Sequence, residues 1–73
     1  MNTAAGPSIR VNDEVRPLAG ATALDGLARA LGVADRKGIA IAVNGAVVPR
    51  AAWPQRMLVD GDRVIVIRAT QGG

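Results

Sequence analysis

The sequence predicts a two-layer α+β domain, a mixed sheet of four to five strands with one main helix packed on one face. Three observations predict it. Leu24, Leu27, Ala28 and Leu31 recur at i, i+3, i+4 and i+7, the stripe of a helix with one buried face. Two turn signals, Asn12-Asp13 and Asn44-Gly45, lie on either side of that helix. The apolar run Val64-Ile65-Val66-Ile67 is a last strand, and Arg68-Ala69-Thr70-Gln71-Gly72-Gly73 follows it.

Ser8-Ile9-Arg10-Val11 alternates polar and apolar residues, as a half-buried strand does. Asn12-Asp13 turns the chain, and Glu14-Val15-Arg16 returns antiparallel until Pro17 ends donation to the ladder. Thr22 is placed to open the helix, with Asp25 as its capping-box partner three residues on. Gly32 follows the last stripe residue and suits a left-handed position after the helix. Gly26 costs the helix about 1 kcal/mol relative to alanine, which close helix–sheet packing would offset. Residues 34–38 form a polar connection. Ile39–Val43 is apolar on both phases and reads as a central strand, Asn44-Gly45 as a type I′ turn, and Ala46–Val48 as its return before Pro49. Arg50 to Trp53 forms one helical turn, stopped by Pro54. Met57-Leu58-Val59 is a short apolar segment, and Asp60-Gly61-Asp62 turns the chain into the strand Arg63 to Arg68. With Val64 and Val66 facing the helix, Ile65 and Ile67 face the other way. They form an exposed apolar patch, unless the crossover from Pro49 to Val59 folds over them. The ββαββ order, with a helix crossing the sheet, is that of the β-grasp (ubiquitin-like) fold.

Composition narrows the chemistry. The chain has 73 residues, one small domain, and 49% of them are apolar, with Trp53 as the only aromatic. Cysteine and histidine are absent, which removes thiol nucleophiles, imidazole bases and ordinary zinc or iron sites. Asp60-Gly61-Asp62 falls short of the six to eight oxygens that calcium takes and reads as a turn. No metal and no catalytic residue is expected. The formal charge of +3 permits an acidic or nucleic-acid partner. The arginines, however, are scattered singly with no stacking aromatics between them, so they read as a solvated surface without nucleic-acid contact. No apolar stretch reaches the ~18 residues of a membrane span. Residues 1–7 lack the features of a signal peptide and read as a flexible leader to a domain over 8–68. A cysteine-free chain of this kind is expected in the cytoplasm.

Residues 69–73 read as a flexible tail. Glycine leaves the backbone thin and free to adopt conformations closed to other residues, so Gly72-Gly73 can thread a narrow slot and present a terminal carboxylate. That carboxylate is the candidate working group. Extended at about 3.3 Å per residue, Ala69 to Gly73 span roughly 16 Å.

Val43-Asn44-Gly45, Val48-Pro49-Arg50, Trp53, Asp60-Gly61-Asp62-Arg63-Val64 and Gln71-Gly72-Gly73, taken together, resemble the ThiS family of sulfur carrier proteins from thiamine biosynthesis. The resemblance runs from about Ser8 to Gly73. It implies a carrier that is not itself an enzyme and binds no cofactor. Gly73 would be the modified residue, adenylated with ATP by a ThiF-like adenylating enzyme, then converted to a thiocarboxylate with sulfur from a persulfide donor. Gly72 and Gln71 would fit the tail into the partner's active site. A ThiG-like thiazole synthase would take the sulfur, and Ile65 and Ile67 would meet the activating enzyme. The chain departs from the family pattern in its longer leader, its positive charge, and an isoleucine at position 65, where members often carry an acid.

Two other readings stay open. One is a carrier for molybdopterin or another sulfur-transfer pathway. The other is a small basic RNA-binding β-grasp module in which the glycine tail is incidental.

Overall fold

Ser8–Val11 (β1) and Glu14–Pro17 (β2) pair antiparallel around Asn12-Asp13 in a computed structural model that describes residues 6–68. Asn12 and Asp13 have φ of 50° and 72°, the pair of positive values that a type I′ turn requires. The hairpin continues past its ladder, because the Leu18 N–H donates to the carbonyl of Pro7 at 2.9 Å. The sequence places Pro7 in the leader.

The helix α1 covers Leu24–Ala30. Leu24, Leu27 and Ala28 are buried, and Leu31 packs half-buried against them. Its C-terminus follows the Schellman pattern: Gly32, at φ 77°, donates to the Arg29 carbonyl and Val33 to the Ala28 carbonyl. Its start corrects the expected capping box. Thr22 belongs to a two-residue strand, Thr22–Ala23 (β3), and its hydroxyl donates to the Gly20 carbonyl. The N-cap position is Ala23, without a side-chain cap, and the Leu24 N–H goes to the carbonyl of Arg56 at 2.8 Å. A tertiary acceptor thus serves a helix-start donor, and the capping pair does not form. Asp25 instead accepts from Arg29 one turn on, at 2.8 Å. Gly26 does not mark a close approach. A Cβ there would meet only the Thr22 methyl, at 3.8 Å.

Ile39–Val43 (β4) and Ala46–Val48 (β5) form the second hairpin around Asn44-Gly45, at φ 54° and 88°. A 3-10 helix, Arg50–Gln55, follows and contains Pro54 instead of ending before it. At this position the missing proline N–H costs a single short-range bond, and Arg56 closes the turn on the Ala52 carbonyl at 3.0 Å. Met57–Leu58 (β6) pairs with β3 in a second sheet of two strands.

Arg63–Arg68 (β7) completes a five-stranded sheet in the order β2-β1-β7-β4-β5. β7 is parallel to β1 and antiparallel to β4, so the sheet is mixed as expected. The core lies between sheet and helix, where Ile9, Leu24, Ile41 and Val64 are fully buried. Among the described residues no helix is long and apolar enough to cross a membrane.

Candidate functional site: the last strand and the open sheet face

The predicted site is anchored on β7, and the turn residues fix that strand from both sides. Beyond its ladder bonds, the Val66 N–H donates to Asn12 Oδ1 and the Arg63 N–H to Asn44 Oδ1, both at 2.9 Å. One asparagine from each hairpin therefore serves the central strand. The same Asn44 side chain donates to Asp62 Oδ1 at 2.9 Å, and Asp62 Oδ2 accepts the Val59 N–H. Ser8 pairs with the last turn through both backbone groups, donating to Asp60 Oδ1 and accepting from the Gly61 N–H. β7 thus begins in a clamped turn and leads to Arg68, opposite Ile39. The predicted tail residues Gln71, Gly72 and Gly73 lie outside the described residues.

Ile65 and Ile67 lie where strand alternation puts them, on the face turned away from α1. Ile67 is 46% exposed and Ile65 half-buried. In register, Ile65 has Ala42 beside it and then Val47, while Ile67 has Ala40. Val47 is exposed, and Val15 on β2 is exposed on the same face. The Pro49–Val59 crossover does not cover them. It runs over the helix side, where Trp53 is 2% exposed in the core and its indole N–H donates to the Val48 carbonyl. Arg50 ties the crossover down: its guanidinium sits 4.5 Å from the centre of the Trp53 ring and donates to the carbonyls of Ala34 and Arg36.

The Asp-Gly-Asp segment is a structural turn. Both carboxylate oxygens of Asp62 are occupied by N–H donors. Among the described residues no group of three or more acidic, histidine or cysteine side chains is placed to hold a metal.

The separation of the arginines in sequence hides one feature. The parallel register of β1 on β7 sets Arg10 opposite Arg63, and both are exposed. Since Ile9, Val11 and Val64 face the core, alternation places the two arginines on the open face. The signal was present in the alternation, but using it requires knowing that these two strands are neighbours.

A family model for the ThiS family matches residues 9–73. The chain belongs to the ThiS family. The sulfur carrier protein ThiS of Escherichia coli strain K12 is 39% identical over 36 residues, which make up 49% of this chain and 54% of that protein. The chain thus spans about half the length of the curated relative it matches. Among solved structures, the crystal structure of the thiamine biosynthesis protein ThiS from Geobacter metallireducens superposes with a TM-score of 0.76 at 28% identity, covering 90% of this chain and 99% of that one. A solution structure of a thiamine biosynthesis protein from the same organism gives 0.71 at 28% identity, covering 90% and 87%. ThiS membership agrees with the β-grasp architecture: a mixed five-stranded sheet under one main helix.

Proposed function

We propose that this chain is a non-catalytic sulfur carrier of thiamine biosynthesis, working in the cytoplasm with its reactive group at the carboxylate of Gly73. The observation that carries this reading is the family match, which runs through the glycine pair to residue 73. β7, which donates hydrogen bonds to side chains of both hairpins and precedes that segment in the chain, supports it.

A carboxylate resists nucleophilic attack because it is anionic and has no good leaving group. In the proposed sequence the Gly73 carboxylate attacks the α-phosphorus of ATP on a ThiF-like enzyme, and pyrophosphate leaves. The resulting acyl-adenylate has AMP as its leaving group. A persulfide sulfur then attacks the acyl carbon and expels AMP, forming an acyl disulfide. A thiol reductant cleaves its S–S bond and leaves the thiocarboxylate, from which a ThiG-like synthase takes sulfur for the thiazole ring. The carrier contributes reach and recognition. Gly72 and Gln71 fit the slot, and Ile65 and Ile67 contact the activating enzyme.

The deciding experiment is intact-protein mass spectrometry after incubation with ATP, the activating enzyme and a persulfide donor. Replacement of one terminal oxygen by sulfur is the expected result, lost on deletion of Gly73 while the fold persists. An unchanged mass under conditions that load an authentic ThiS rejects the reading.

A further inference from the structure

Arg10 and Arg63 lie directly opposite each other on neighbouring strands, an arrangement in which like charges repel. Among the described residues neither guanidinium has a carboxylate partner. The acids nearest Arg63 in the chain are engaged elsewhere. Asp62 is 5% exposed and bonded to Asn44 and Val59, and Asp60 accepts from the Ser8 backbone. By alternation, no strand position on the open face carries Asp or Glu. The two arginines, with Val15 and the Asp60–Asp62 turn, line a depression of about 450 Å³. Next to it along β7 lies the apolar row of Ile65, Ala42 and Val47. β7 ends at Arg68, about 16 Å from Arg63 at roughly 3.3 Å per residue.

We propose that Arg10 and Arg63 together receive a carboxylate-bearing loop of the activating enzyme, at the end of the open face opposite the tail. This rests on the carrier reading and adds to it the chemistry of the partner. An Asp or Glu side chain between the arginines relieves their repulsion and matches the planar fork of each guanidinium. The apolar row beside them supplies the desolvated centre of a docking surface, with the charges at its rim. A nucleic-acid strand suits the site less well. It wants stacking aromatics, whereas the sole aromatic, Trp53, is buried on the other side. Two anchors, one charged and one the tail, fix the orientation of the carrier on its enzyme.

The test uses the full chain in the loading reaction, at carrier concentrations below saturation. Arg10→Glu combined with Arg63→Glu is expected to lower kcat/KM for thiocarboxylate formation about tenfold or more, mainly through KM. Loading of the wild type should slow with added salt, and Arg10→Ala with Arg63→Ala should flatten that dependence. The alanine pair also serves if the reversed pair fails to fold. Wild-type loading together with unchanged kcat/KM in the charge variants overturns this inference and leaves the carrier reading intact. A wild type that never loads overturns both. Loss of RNA binding in the reversed pair with loading unaffected assigns the arginines to nucleic acid instead and likewise overturns the inference.

Discussion

Asn44 and Asp62 join the two turns that flank the last strand, with the Asn44 amide 2.9 Å from Asp62 Oδ1. The contact has consequences because Asp62 is buried and its other oxygen holds the Val59 N–H. Asp62→Ala leaves both donors without their acceptor. We expect a loss of about 2 kcal/mol, from the cost of orphaning partly buried donors of a charged acceptor. Urea unfolding followed by Trp53 fluorescence measures it, and a loss below a few tenths contradicts the clamp.

Asn44 plays two parts that separate by substitution. Its backbone sits at φ 54°, where an alanine costs about 1 kcal/mol and a glycine nothing. Its side chain also serves Arg63 and Asp62. Both variants remove the side-chain bonds, and Asn44→Ala should be less stable than Asn44→Gly by a few tenths of a kcal/mol, because the left-handed strain of about 1 kcal/mol is partly offset by the freedom that glycine adds to the unfolded chain. Equal stabilities would mean that the left-handed turn relaxes.

Much of this fold is legible because the relevant signals are local. Asn12-Asp13, Asn44-Gly45 and Gly32 take the positive φ values that their residue types anticipate, and the stripe from Leu24 to Leu31 packs as its spacing dictates. The misreadings come from partners distant in sequence. Thr22 and Asp25 carry a capping pattern, but pairing with Met57 and Leu58 holds Thr22 and Ala23 in a strand. β3 and β6 have two residues each, too few to show a period. Arg10 and Arg63 look like isolated surface charges until the parallel pairing of β1 and β7 sets them side by side. The exposure of Ile67 was foreseeable from alternation and a single helix. The side on which the crossover lies was not, because it depends on burial of Trp53.

Arg50 shows why a Val-Pro-Arg segment followed by a tryptophan belongs in this scaffold. The guanidinium stacks on Trp53 and donates to two carbonyls in the loop after α1. Lysine has the charge but lacks the planar fork. Arg50→Lys should cost about 1 kcal/mol, and hydrogen exchange should rise first at residues 34–38. Uniform exchange across the domain would show that Arg50 does not hold this loop.

Gly26 offers a gain in stability. A Cβ would reach the Thr22 methyl at an ordinary 3.8 Å, and the residue lies within α1. Gly26→Ala should stabilise the domain by about 0.5–1 kcal/mol, chiefly by restricting the unfolded chain. Thermal unfolding gives the sign directly, and a lower midpoint would point to crowding that this geometry does not contain.

Ile67 tests whether the open face contributes to docking independently of stability. At 46% exposure its burial in the free protein is modest, and threonine keeps the β-branched shape that a strand favours. Ile67→Thr should change unfolding free energy by less than about 1 kcal/mol. Against the activating enzyme, the lost apolar contact should raise KM for the carrier several-fold with kcat unchanged, the pattern of binding that is equal in ground and transition states. A reduced kcat with unaltered KM would instead place position 67 in delivery of the tail, because only a misdirected carboxylate slows the chemical step without weakening encounter.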